Sequence, residues 1–227
     1  MTFDVDVIGR SLPYLWKGFL YTVELTAIAS LGGLFFGTLL ALGRLSPIKP
    51  LAMIAAGYVN LMRSIPLVLV LFWFFFLMPQ MLQLATGGER PPQIGAERTA
   101  VITVIMFEAA YVCEILRAGI QSIAKGQLHS AYALGLRYGQ AMRLVILPQA
   151  LRNMIPVLLT QTIILFQDTS LVYVISATDF TGAAAKIAQR DGRLVEMYLF
   201  VAAVYFVLCY TLSYAVKLLQ QKIAVIR

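Results

Sequence analysis

The sequence predicts an all-α integral membrane protein of about five transmembrane helices, with its N-terminus outside, its C-terminus cytoplasmic and a cytoplasmic helix–glycine–helix loop. Three observations carry this. Of the 227 residues, 60% are hydrophobic and only 13% charged, against about 45–50% apolar and about 25% charged in soluble domains. Mean hydropathy is +0.80. The charges are gathered into gaps, which leaves runs near the roughly 20 apolar residues needed to cross a hydrocarbon core.

The N-terminus, Met1-Thr2-Phe3-Asp4-Val5-Asp6, is acidic where a cleavable secretory signal is basic. Residues 1–18 are expected to form an external segment, 19–218 one transmembrane domain, and 219–227 a cytoplasmic tail. The first span is placed at Phe19–Leu42, uncharged after Glu24. Within it Gly33, Gly37 and Ala41 make a small-residue ridge that allows close helix packing. The second span is placed at Tyr58–Met78, with no charge between Arg63 and Glu89. An irregular loop is expected over Pro79–Glu97, which holds Gly87-Gly88 and Pro91-Pro92.

The third span, Arg98–Leu116, contains Glu108 and Glu114, and the fourth, Asn153–Ser176, contains Asp168. A charged side chain at a helix centre costs about 2.5–3.5 kcal/mol on insertion scales. Flanking apolar residues offset that, but both spans should turn these acids toward protein or water. The fifth span, Met197–Val216, is uncharged.

Eleven of the 18 Lys and Arg residues fall in the gaps 44–63, 117–152 and 217–227. The positive-inside rule therefore puts those gaps in the cytoplasm. The net charge of +7 does not form a basic patch interleaved with aromatics, so no nucleic-acid partner is expected. Cys113 and Cys209 sit in apolar runs without ligand spacing, and His129 is the only histidine. No metal site is expected from that set.

The stretch Gly126–Pro148 is longer than a turn. Leu128, Ala131, Tyr132 and Gly135 fall at i, i+3, i+4, i+7, and Ala141, Leu144, Val145 and Pro148 repeat the spacing. Each set makes one apolar face of a short helix, with Gly135 at the junction where the chain can reverse. Periodicity leaves two readings: a ridge that docks in a groove of another protein, or an amphipathic pair lying on lipid headgroups.

The residues favour the first. His129-Ser130-Ala131-Tyr132-Ala133-Leu134-Gly135, followed after nine residues by Val145-Ile146-Leu147-Pro148, resembles the "EAA" loop of membrane subunits of bacterial ATP-binding-cassette importers. That pattern is Glu-Ala-Ala, three residues, Gly, nine residues, Ile-x-Leu-Pro. His129 replaces the usual Glu and Ser130 the first Ala. Arg63-Ser64-Ile65-Pro66-Leu67 resembles the Arg-Gly-Thr-Pro-Leu signature of amino acid permeases. Phe166-Gln167-Asp168-Thr169-Ser170-Leu171 resembles their Lys-Asp-Thr-Ser-Leu signature, with Gln167 in place of Lys. The resemblance runs from about Leu12 to Tyr214, and its wording is similar to the glutamate/aspartate branch of the polar amino acid permeases.

The resemblance implies a membrane subunit of an ATP-driven importer for polar amino acids, in the bacterial cytoplasmic (inner) membrane. It implies two copies of an ATP-binding subunit, a second permease subunit, paralogous in this branch, and an external amino-acid-binding protein. No cofactor is expected on this chain; ATP and Mg belong to the partner ATPases, since no Gly-x-x-x-x-Gly-Lys-Ser/Thr loop is present. The chain is therefore not expected to be an enzyme. Gln127, Ala131, Leu134, Gly135, Leu147 and Pro148 are implied as ATPase-coupling residues.

For the substrate pathway the candidates are Arg63, Glu108, Gln161, Gln167, Asp168, Thr169 and Ser170. A carboxylate can pair with an α-ammonium, while amide and hydroxyls bind an α-carboxylate. Against this stands a structural reading, in which Asp168 and Glu108 tie helices together and Arg63 is a boundary anchor. The alternative function is an ATP-independent secondary transporter or channel subunit. Five spans without an inverted repeat argue against many such folds. A membrane enzyme ranks behind both, for want of a nucleophile–base pair or a metal cluster.

Overall fold

The computed structural model describes residues 6–223, which are helical apart from short connections. Five helical runs are long and apolar enough to cross a membrane: Asp6–Arg44, Leu67–Thr86, Ala96–Gln121, Tyr138–Ile175 and Leu194–Lys222. Of the expected external segment, residues 1–5 lie outside the described residues, as do 224–227 of the expected tail.

Helix α1, Asp6–Arg44, is a single helix of 39 residues, about 58 Å at 1.5 Å per residue. The expected start at Phe19 thus falls inside a longer helix. Helix α5, Ala96–Gln121, runs beside it. Gly32 abuts Ile105, Gly33 abuts Glu108 and Gly37 abuts Val112. The paired numbers rise together, so α1 and α5 are parallel, as alternating first and third spans require. The small-residue ridge is the seam.

The second span departs from expectation. Helix α2, Lys49–Ser64, ends before Ile65, which is extended (φ −117, ψ 135), and Pro66. The cause is local: proline has no N–H to continue a helix, and it disfavours helical backbone in the residue before it. Tyr58 to Ser64 therefore belong to α2, and the span begins at Leu67. It continues as α3 (Leu67–Phe72), a π-helical turn (Trp73–Leu77) and α4 (Met78–Thr86), which closes on Gly87 in the left-handed region. The expected loop from Pro79 is helical as far as Thr86.

After α5 come α6 (Lys125–Ala133), α7 (Tyr138–Ala141), a π turn (Met142–Ile146), α8 (Leu147–Asp168) and a 3₁₀ segment (Thr169–Ile175). From Tyr138 to Ile175 the chain runs helical without a break, so the second arm of the loop and the fourth span are one rod. Both π turns lie just ahead of a proline, Pro79 and Pro148. A proline ring clashes with the carbonyl four residues back, and widening that turn relieves the clash.

Helix α9, Phe180–Asp191, fills the stretch between the expected fourth and fifth spans. At 12 residues it is too short to cross a membrane. It packs Phe180, Ala183, Ala184 and Ile187 against Val7 and Leu15 of α1 and against Met197 and Val201 of helix α10, Leu194–Ile223. A second apolar cluster joins Leu25 and Ala29 of α1 with Leu71 of α3, Val104 of α5 and Val172 of the 3₁₀ segment.

Candidate functional site

Two features stand out from the apolar bundle: a polar line inside it and an exposed elbow at one end. The line starts at Glu108 on α5, which is only 3% exposed. Gln161 on α8 donates from Nε2 to Glu108 Oε2 at 3.0 Å. Asp168 lies seven residues after Gln161 on α8, two helical turns on and therefore on the same side. Its carboxylate is half-buried and accepts no hydrogen bond among the described residues. Glu108 and Gln161 are thus brought together, with Asp168 two turns further along the same side of α8.

The neighbours of Asp168 are not gathered with it. Gln167 is exposed and turns away along the helix, and Ser170 is half-buried. Thr169 is buried, and its hydroxyl donates to the Phe166 carbonyl at 2.8 Å. That hydroxyl is committed to the backbone.

Arg63, at the last turn of α2, reaches the other end of the line. Its guanidinium carbon lies 5.6 Å from the centre of the Tyr111 ring, a cation–π distance. Its Nη1 is 3.7 Å from Glu114 Oε2. Glu114 is a hub. Arg44 Nη1, at the end of α1, donates to its Oε2 at 2.5 Å, and Arg117 donates to both of its oxygens. One carboxylate therefore joins α1, α2 and α5.

Tyr111, Glu114, Arg44 and Arg117 are not among the expected site residues. A signal existed: Glu108, Tyr111, Glu114 and Arg117 recur every third residue along α5, a spacing that keeps polar groups on one drifting helical stripe.

The elbow is built around Gly135, whose φ is +79°. Its N–H donates to the Tyr132 carbonyl at 2.9 Å, and the Leu136 N–H to the Ala131 carbonyl at 3.1 Å. These two bonds are the Schellman closure of α6, which needs a left-handed residue at that position. The Arg137 N–H then donates to Gln140 Oε1 at 2.9 Å and opens α7. Gln149 Nε2 donates to the Val145 carbonyl at 2.9 Å and to Gln127 Oε1 at 3.4 Å, linking the arms.

The expected coupling residues divide by exposure. Ala131 is buried and packs the elbow itself; Leu147 is half-buried, while Gln127, Leu134 and Pro148 are exposed. The single apolar face expected over Leu128, Ala131, Tyr132 and Gly135 is split for the same reason. What the tip presents is Leu134, 82% exposed, with Tyr132, Tyr138 and Leu144 around it.

Comparison with known proteins places this architecture. The description "Binding-protein-dependent transport system inner membrane component" matches residues 33–225. The chain is 50% identical over 222 residues to the glutamate/aspartate import permease protein GltK of Escherichia coli O6:H1, covering 98% of this chain and 99% of that one. It is 32% identical to the arginine transport system permease protein ArtQ of Bacillus subtilis, covering 98% of each. The crystal structure of an amino acid ABC transporter with histidines matches with a TM-score of 0.88 at 32% identity, over 98% of this chain and 100% of that one. An inward-facing form of the MetNI methionine ABC transporter shares the fold, with a TM-score of 0.72 at 20% identity. With a match over most of its length and five helical runs able to span a bilayer, the chain belongs to the binding-protein-dependent transport system inner membrane component family, the multi-pass permease subunits of ABC importers.

Proposed function

We propose that this chain forms the membrane path for glutamate and aspartate in an importer driven by partner ATPases. The observation that carries the reading is the likeness to a glutamate/aspartate import permease along nearly the whole chain. The polar line supports it. Asp168 offers an uncompensated carboxylate to an α-ammonium, and Arg63 offers a half-exposed guanidinium to a carboxylate, with Glu108 and Gln161 between. The assembly has two ATP-binding subunits, a paralogous second permease and an external binding protein. ATP and Mg act on the partners and alter access here by rocking helices between two states.

In this proposal the elbow is the input. Leu134, Tyr138 and Leu144 fit a groove in an ATPase, and the unbroken helix from Tyr138 carries displacement into the span that bears Gln161 and Asp168. The N-terminus is external and the C-terminus cytoplasmic, which puts the elbow beside the ATPases.

The test is uptake of labelled glutamate into proteoliposomes holding the full complex and its binding protein. Unlabelled aspartate should compete, with arginine and glutamine much weaker, and ATP should be required. Uptake that persists without ATP and collapses with the ion gradient would overturn the reading. Stronger competition by arginine would overturn the substrate while leaving the importer intact.

A further inference from the structure

The elbow is one-sided in charge. No Asp or Glu occurs from residue 115 to residue 167, while Arg117, Lys125, Arg137, Arg143 and Arg152 all fall there. Arg117 is satisfied by Glu114 and Gln121. Lys125, Arg137, Arg143 and Arg152 are exposed, and their side chains have no hydrogen bond or ion pair among the described residues. Two of these cations border the tip in sequence, Arg137 before Tyr138 and Arg143 before Leu144. The tip is an apolar knob led by Leu134, with uncompensated cations beside it.

Lipid phosphates reach only the base of this hairpin. Arg152 is the last charge before the apolar stretch of α8. At that level Asn153 Nδ2 donates to Ser122 Oγ at 3.0 Å, and about one turn further out Gln149 Nε2 donates to Gln127 Oε1 at 3.4 Å. The two arms therefore run side by side away from the span. At 1.5 Å per residue, Arg143 lies about 13 Å and Tyr138 about 21 Å beyond Arg152. The headgroup layer adds only about 5–8 Å to each side of the hydrocarbon core, and a tilt of about 40° still leaves Arg143 about 10 Å out. The counter-charge for Arg137 and Arg143 has to come from protein, and this stretch of the chain holds none.

We propose that the seat of the elbow on its ATPase is an apolar groove rimmed by carboxylates, which face Arg137 and Arg143. This rests on the reading of the elbow as the ATPase contact and adds the chemistry of the partner surface. Interfaces join an apolar core to a polar rim, and a basic rim would set like charges against both guanidiniums. Exposed rim charges act chiefly on the rate of encounter and its salt dependence. The buried knob acts on release.

The experiment strips the ATPase from the reconstituted complex and follows its rebinding to the full membrane subunits in phosphatidylcholine nanodiscs. Wild-type association should slow about tenfold between about 50 mM and about 500 mM salt. Arg137→Glu combined with Arg143→Glu should slow association about tenfold at low salt and remove most of the salt dependence. Thermal stability should not change, because neither side chain has a partner in the chain. Leu134→Asp should act mainly on dissociation. If charge reversal has no effect, or speeds binding, while Leu134→Asp weakens it, the carboxylate rim is wrong and the elbow remains the ATPase contact. If neither variant changes binding, the ATPase sits elsewhere and both readings fall. Slowing that appears only in discs containing phosphatidylglycerol would assign the cations to headgroups and overturn the proposal.

Discussion

Gly33 of α1 lies against the side chain of Glu108 of α5 so closely that a Cβ at position 33 would stand 2.5 Å from the Glu108 Cγ. The glycine is what gives a buried carboxylate room between two parallel helices. Gly33→Ala must push Glu108 and disturb its bond to Gln161, at a cost of about 1–3 kcal/mol for overpacking. Thermal stability in nanodiscs should fall by that amount, and Glu108→Ala in the same chain should restore most of the loss. A loss that is additive with Glu108→Ala would show that the two side chains do not compete for space.

The bond from Gln161 to Glu108 makes its own prediction. Gln161→Leu removes the donor and leaves the carboxylate buried without a partner. Glu108→Gln retains an acceptor for the same donor, so Gln161→Leu should be the more damaging change. Hydrogen bonds between membrane helices are worth about 0.6–2 kcal/mol. A double-mutant cycle on stability should return a coupling in that range; a value near zero would mean the bond has no energetic role.

Gly135 separates space from conformation. A Cβ there would meet nothing within 4 Å, yet φ is +79°. Any side chain fits, but a left-handed backbone costs an L-residue about 1–2 kcal/mol, and asparagine tolerates it best. Gly135→Asn should therefore keep most ATP-coupled uptake in proteoliposomes, while Gly135→Val should lose much of it with ATPase activity less affected. Equal loss in both would point to crowding at a partner surface, contrary to a conformational role.

Much of the bundle was legible because membrane solvent writes itself into composition. The spans at Phe19, Arg98, Asn153 and Met197, the Gly33/Gly37 seam and the reversal at Gly135 all follow from local residue type. What was hidden depends on pairing. Hydropathy runs smoothly across Ile65-Pro66, so the break there blurs into one apolar run unless proline's missing N–H is weighed. Helix α9 is short and mixes Ala183 to Ala185 with Lys186, Arg190 and Asp191. Its burial comes from α1, α10 and the 3₁₀ segment, where Gly182 lies against Tyr173. Glu114 reads as one more acid in a span until folding brings Arg44 from seventy residues away. Asp168 was named by motif, but the hydroxyl expected beside it at Thr169 is turned to its own backbone, a local choice that spacing does not reveal.

Asp179 supplies a pH test at the start of α9, outside the five spans. Its side chain accepts from the Thr181 N–H at 3.0 Å and the Gly182 N–H at 2.9 Å, and the residue is fully buried. Burial pushes its carboxyl from the ordinary 3.8 up to about 6, with the two N–H donors pulling the other way. Between those values the folded chain binds more protons than the unfolded one. This group's contribution is therefore best at the acid end and declines as pH rises through the window. Asp179→Asn keeps an oxygen for the cap and removes the charge, so the difference in melting temperature between variant and wild type should grow in the variant's favour from about pH 4 to pH 6 and then level off. Asp179→Ala should remove the same slope but also lose the cap, at about 1 kcal/mol, and lie below Asp179→Asn at every pH. If the wild type instead gains on Asp179→Asn as pH rises, the carboxylate is stabilised by its donors more than burial opposes it, and the sign argued here is wrong.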